Sequence, residues 1–339
     1  MLSLKNFSVV VCCLIMLVVT TSQTFSQQDS SDDAISIKAT LVTVPVIVSD
    51  REGHYIANLK QENFALYEDN VKQQIAFFDA AEEPLNIALL LDTSKSTREV
   101  LDDIKIAARE FLRELRAKDR AMIISFDYDV HLLSPLTNNR RVVLDAIERA
   151  EIGGFVGTAL HDAINEVLQG AFRDVKGRKA IILLTDGKDH GSEMTADDLI
   201  YASAESSTVI YSIFYRTGPT QATQTREGWP FPRRRRSRIE PPGFPLPRGR
   251  RERVERANRR AIVFLEALAE NTAGRVYESE ETDFRRTFRS IAEELRHQYQ
   301  LGFYPDEGRP VGSEHTLRVK VSSPDLVVRA RRSYRTINQ

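Results

Sequence analysis

Four apolar runs organise the middle of the chain: IALLL at 87–91, AMIISF at 121–126, AIILL at 180–184 and TVIYSIF at 208–214. Runs without polar alternation suit strands buried on both faces. Between them, Leu101, Ile104, Ala108, Phe111 and Leu115 return at helical spacing, as do Leu160, Ala163, Ile164, Val167 and Leu168. Each set is the apolar stripe of an amphipathic helix. Strand and helix alternating in this way predict an α/β domain with a doubly wound, mostly parallel sheet of Rossmann-like type. Past residue 257 the alternation resumes. A helix over 258–270 with Gly274 as its stop is followed by a short strand at RVYES and a helix carrying Phe284, Phe288, Ile291 and Leu295.

The pattern changes at both ends of that domain. A β-branched stretch at 35–48, a turn at 50–53, and the runs NFALYEDN and QQIAFFDA read as a small antiparallel β unit. Pro45 puts its strand at an edge or a bulge. Near the C-terminus, YQLGFY, HTLRVKV and LVVRARRSY alternate like strands. The expected division is an N-terminal β segment at 27–84, the α/β domain at 85–295 and a C-terminal β segment at 296–339. Two arrangements of the β segments stay open: separate flanking units, or one composite β-sandwich with the α/β domain inserted.

The first residues read differently again. Lys5, an apolar run from Phe7 to Val19 and the small, polar TTSQTFS form a secretory signal over 1–26, cut after Ser22 or Ser26. The run is short of the ~20 apolar residues of a membrane-spanning helix. Both cysteines, Cys12 and Cys13, lie inside it. The mature protein is therefore expected to be secreted or periplasmic, without a transmembrane span, disulfides, thiol catalysis or Cys-ligated metals.

Composition adds a charge asymmetry. The 339 residues are 42% hydrophobic and 28% charged, as in a soluble globular protein, and the net charge is −1. Yet residues 217–260 hold 13 Arg, no Lys and 4 Glu, a local +9 that leaves −10 for the rest. The insertion at 217–257 contains PRRRRSR, most of PRGRRERVERANRR, and Trp229, the sole tryptophan. It is either a solvated loop without a partner or an arm for anions. In the second case Arg233, Arg234, Arg235, Arg236, Arg250 and Arg251 would fork onto carboxylates or phosphates of an acidic protein, a polysaccharide or lipid headgroups. Nucleic acid fits a secreted protein less well.

The chemistry concentrates after the first buried strand. LLLDTSKST sets Asp92, Ser94 and Ser96 beyond its carboxyl end, where open α/β sheets bind ligands. TDG places Asp186 at the end of another strand, and GGFVGTAL offers Thr158 just before a helix. Five hard oxygen groups from three loops suit Mg²⁺, Mn²⁺ or Ca²⁺ rather than zinc or copper. Water or a partner's carboxylate would complete the shell. Helix capping is the bland reading of Asp92, Ser94 and Ser96, but it accounts for one residue and leaves Thr158 and Asp186 unexplained. Asp162, one turn after Thr158, is either a favourable acid in a first helical turn or a group supporting the shell from behind. No G-x-S-x-G, H-E-x-x-H or G-x-x-x-x-G-K-[ST] pattern is present, so the usual hydrolase and nucleotide signatures are missing.

D-x-S-x-S after a buried strand, a Thr in a Gly-rich loop and a later TDG together resemble the von Willebrand factor A domain with its metal-ion-dependent adhesion site. The resemblance covers roughly 85–295 apart from the basic insertion. The signal, VSDREGHYIANLKQENFALYEDN ahead and QYQLGFYP behind are similar to a family of secreted bacterial VWFA-related proteins. That resemblance implies Asp92, Ser94, Ser96, Thr158 and Asp186 as the site, usually with Mg²⁺. It also implies adhesion or assembly through an acidic protein partner rather than catalysis. The alternatives are an envelope structural module with a vestigial site, binding through its β segments or basic arm, and a metal-dependent hydrolase.

Overall fold

A computed structural model describes residues 41–216, 248–279, 284–306 and 309–336. The expected signal sequence, residues 27–40 of the expected N-terminal β segment and the Arg-rich stretch up to 247 lie outside the described residues. No helix among the described residues is long and apolar enough to cross a membrane.

Four strands come first: β1 (Val42–Ser49), β2 (Phe64–Glu68), β3 (Val71–Gln73) and β4 (Phe77–Asp79). The α/β body then runs β5 (Leu85–Asp92), α1 (Leu101–Glu114), β6 (Arg120–Phe126), β7 (Val130–Thr137), α2 (Arg140–Glu148), α3 (Leu160–Asn165) and β8 (Arg178–Thr185). It continues through α4 (Ala196–Glu205), β9 (Val209–Tyr215), α5 (Arg248–Thr272), β10 (Arg275–Ser279) and α6 (Phe284–Arg296). The last strands are β11 (Tyr299–Phe303), β12 (Glu314–Val321), β13 (Val327–Ala330) and β14 (Ser333–Arg335).

The body's sheet has the order β10-β9-β8-β5-β6-β7, parallel except where β7 joins β6. This is the doubly wound architecture read from the apolar runs. Every residue of β5 is buried, because its side chains serve two cores in alternation. Ile87, Leu89 and Leu91 pack with residues of α1, α2 and α6, and Ala88 and Leu90 with residues of α3 and α5.

Three local features depart from the sequence reading. The edge strand β7 and helix α2 had no counterpart in the apolar pattern. β7 is half-exposed and interrupted by Pro135, which an edge strand tolerates. Helix α5 starts at Arg248 rather than 258, so the end of the basic insertion is helical; Arg and Glu are good helix formers. At its C-terminus the left-handed residue is Ala273, at φ 61°, not Gly274. Gly274 is needed for close approach, since a Cβ there would lie 1.8 Å from the Ile210 carbonyl oxygen.

The β segments form two four-stranded sheets, β13-β1-β11-β4 and β14-β12-β2-β3, each drawing strands from both ends of the chain. Val44, Val46, Leu301 and Phe303 of the first share a core with Phe64, Leu66, Leu317 and Tyr334 of the second. The composite sandwich is thus the arrangement adopted. LVVRARRSY supplies β13 to one sheet and β14 to the other, with Arg331 and Arg332 between. β1 lies inside its sheet, but its pairing with β13 begins only at Val46. Pro45 therefore has one strand neighbour, the edge-like setting that its missing amide requires.

Buried polar groups join sandwich and body. Glu294 of α6, fully buried, accepts hydrogen bonds from the hydroxyls of Tyr211 (2.6 Å) and Tyr55 (2.8 Å) and pairs with Arg329. The Arg178 guanidinium donates to the Leu295 carbonyl and to Gln298 Oε1 (3.3 Å).

Candidate metal centre

From β5 the chain steps to β6 on one side and later to β8 on the other, so a crevice opens beyond the carboxyl ends of β5 and β8. Asp92 ends β5, and Asp186 directly follows β8.

Asp92 is fully buried. Its Oδ1 accepts hydrogen bonds from the Ser94 amide (3.0 Å) and the Thr97 hydroxyl (3.2 Å), and its Oδ2 from the Thr185 hydroxyl (2.8 Å). The Ser94 and Ser96 hydroxyls lie 2.9 Å apart, Ser94 buried and Ser96 exposed. Ser94 precedes a single 3-10 turn, Lys95–Thr97, but makes no side-chain cap hydrogen bond. Capping therefore does not account for its hydroxyl.

Asp186, 2% exposed, accepts from the Lys188 amide (3.2 Å) and pairs with the Lys188 ammonium at 2.9 Å. Thr158 is buried on the loop between α2 and α3. That loop is fastened to strand ends: the Gly153 amide donates to the Thr93 carbonyl (2.9 Å), Ala159 to the Asp127 carbonyl (2.6 Å), and His190 to the Thr158 carbonyl (3.0 Å).

Burial, and then the nearby charge of Asp186, push the Asp92 carboxyl up to about 6. Two buried carboxylates among hydroxyls form an oxygen-only donor set, with the Lys188 ammonium offsetting charge on Asp186. Among the described residues, no three His, Cys, Asp or Glu side chains converge as a metal cluster. A centre built here would use two carboxylates and three hydroxyls, which fits a hard divalent cation.

The surrounding polar residues have other duties. Asp162 accepts from the amides of Glu193 (2.9 Å) and Met194 (3.0 Å), holding the segment after the TDG loop. Asp189 accepts from the amides of Leu160 (3.0 Å) and His161 (3.3 Å) at the start of α3. Asp127 accepts from the Asp129 amide (3.2 Å). Arg250 and Arg251 fall in the first turn of α5, and Arg233–Arg236 lie outside the described residues.

Sequence reasoning missed Thr97, Thr185, Tyr215 and Lys188. Thr97 also shares a 2.9 Å hydrogen bond with the buried Tyr215 hydroxyl, whose proton is held well above the usual range by burial and by Asp92. The two threonines adjoin motif residues; nothing local marks Tyr215.

One further set resembles a hydrolytic triad: Ser313 Oγ lies 2.8 Å from His315 Nε2, and His315 Nδ1 lies 2.8 Å from Asp69 Oδ2. The amides that would stabilise an oxyanion are taken, Gly312 by the Thr336 carbonyl and Ser313 by Pro310 and Thr336 oxygens. Ser313 Oγ itself donates to the Pro310 carbonyl at 2.7 Å. This set ties β12 to the β2–β3 turn and the C-terminal strand.

Residues 87–188 match the model of the von Willebrand factor type A domain family. Among solved structures, conserved hypothetical protein BatB from Bacteroides thetaiotaomicron is 20% identical, with 63% of this chain and 97% of that one covered and a TM-score of 0.45. A von Willebrand factor type A protein from Catenulispora acidiphila is 13% identical, with 81% and 73% covered and a TM-score of 0.46. Proximal thread matrix protein 1 from the mussel byssus, with a zinc-occupied MIDAS motif, is 14% identical, with 63% and 48% covered and a TM-score of 0.43. No curated protein matches the chain.

Proposed function

Starting from a chain that carries a von Willebrand factor type A domain, we propose that it binds an acidic protein partner through a divalent cation held by Asp92, Ser94, Ser96, Thr158 and Asp186. The role is adhesion or assembly, the ion Mg²⁺ and the location secreted or periplasmic. The observation that carries this reading is the fully buried Asp92 beside Asp186 at the sheet's switch point, its oxygens held by the Ser94 amide and the hydroxyls of Thr97 and Thr185.

When bound, the cation supplies an open coordination position to a carboxylate. The chain does the positioning. The Ser94 amide, Thr97 and Thr185 fix both oxygens of Asp92, so its carboxylate is aimed before any ligand arrives. Ser94 and Ser96 contribute neutral oxygens, which leaves charge for a partner's acid to satisfy. Ser96, the exposed member, marks the solvent side of the site. The Arg-rich insertion begins just past β9, two strands from β5, and adds attraction for an acidic partner.

A second reading rests on Lys188. Its ammonium, 2.9 Å from Asp186, could itself supply the positive charge, making the domain a metal-free envelope module. Calorimetry with Mg²⁺, Mn²⁺ and Ca²⁺ separates the two. Binding that Asp92→Ala removes supports the cation; no such binding in the wild type, but binding in Lys188→Ala, favours the lysine. Turnover of a phosphoester or ester panel, lost in Asp186→Ala, would make the protein a hydrolase instead.

A further inference from the structure

We infer that the acidic group recognised at the metal centre is carried beside an apolar side chain, and that Phe155, Val156 and Tyr128 form the seat for that side chain. The inference rests on the metal-dependent reading above and specifies its partner.

Phe155 is 72% exposed, Val156 81% and Tyr128 53%. The rings of Tyr128 and Phe155 are 6.2 Å apart, so they make one patch. Phe155 and Val156 sit in the same loop as Thr158, and Tyr128 follows the end of β6, the strand beside β5. The patch is therefore continuous with the metal-binding loops.

The exposure is imposed by how the loop is held. Gly153 donates to the Thr93 carbonyl, next to Asp92. It also presses so closely on Asp127 that a Cβ there would lie 2.3 Å from Oδ2. At the other end, Gly157 lies against the Tyr128 ring, and the Thr158 carbonyl is bonded to His190. Anchored on both sides, the tip holds its two apolar side chains toward water. Clustered exposure of this kind beside a ligand site marks a contact surface.

Charge narrows the partner. Glu151 and Asp129, both exposed, flank the patch residues in sequence. A run of carboxylates would be repelled there, whereas a single Asp or Glu with an apolar neighbour meets the cation and the patch together. The cation would take either acid; the patch supplies the selectivity between acidic partners.

The test is a displayed random-peptide library, bound to the full chain in Mg²⁺ and eluted with EDTA. It is run on wild type, Asp92→Ala and the double variant Phe155→Ser with Val156→Ser. Wild type is expected to select peptides with one Asp or Glu and a Phe, Leu, Ile or Val adjacent or next but one. The double variant should keep Mn²⁺ binding by calorimetry, select acids without the apolar bias and bind wild-type-selected peptides about tenfold more weakly. Acidic peptides without apolar bias from wild type, or an unchanged bias in the double variant, overturn the inference while leaving acid recognition standing. If wild type yields no peptides that Asp92→Ala fails to yield, acid recognition and the inference fall together.

Discussion

The Thr185 hydroxyl donates a 2.8 Å hydrogen bond to Asp92 Oδ2, joining the carboxyl ends of two neighbouring parallel strands at the sheet's switch point. Thr185 thus orients a proposed ligand without being one. Thr185→Val should leave the fold intact and weaken Mn²⁺ binding by about 10- to 100-fold, as loss of a supporting hydrogen bond does at metal sites. Calorimetry reads this directly; unchanged affinity would deny the hydrogen bond its role.

In the proposed centre, proton and cation would compete for Asp92. Its carboxyl, raised to about 6, takes a proton as the pH falls through that value, so metal affinity should be high at pH 7 and fall toward pH 5. Stability of the metal-free protein should change in the opposite sense. A carboxyl raised in the fold contributes stability present below its unfolded value of ~3.9 and lost as the pH rises through about 6. Mn²⁺ calorimetry at pH 7 and pH 5 checks the first sign, and melting in EDTA across pH 4–7, with Asp92→Asn as the control lacking this contribution, checks the second.

Glu294 links α6 and β9 to the sandwich through Tyr55, Tyr211 and Arg329. Glu294→Ala strands these partners and should cost about 3–5 kcal/mol in urea unfolding. Removing the exposed Arg332–Glu270 pair by Arg332→Ala should cost about 0–1 kcal/mol. Equal losses would show that burial does not set the worth of these pairs.

At the end of α5, Gly274→Ala would drive a Cβ into the Ile210 carbonyl and should destabilise by about 1–3 kcal/mol or more. Ala273→Gly, which relieves a left-handed alanine, should stabilise by about 1 kcal/mol. Thermal melting of the two variants gives opposite shifts if Ala273 is the cap.

That exchange of roles shows where sequence reading stops. A glycine after an apolar stripe signals a helix end, but whether it supplies a left-handed turn or room for a neighbouring strand depends on β9, more than sixty residues earlier. The body's central strands were legible because burial on both faces removes polar alternation, as in β5. β7 was not, because a half-exposed edge strand interrupted by proline leaves no clear period. The Asp92, Ser94 and Ser96 spacing stood out because all three follow one strand. Tyr215 reaches Thr97 from a strand 118 residues later, and no local pattern marks that approach. The sandwich was readable as strands but not as pairings, since Val42 meets Phe303 only in the fold.

The most direct test is a crystal structure of the full chain with Mn²⁺, read by anomalous scattering. The account predicts a peak within ~2.0–2.3 Å of the Ser94 and Ser96 hydroxyl oxygens, in the crevice between Asp92, Thr158 and Asp186, and its loss in Asp92→Ala. A peak held by other residues, or none in the crevice at saturating Mn²⁺, would contradict it.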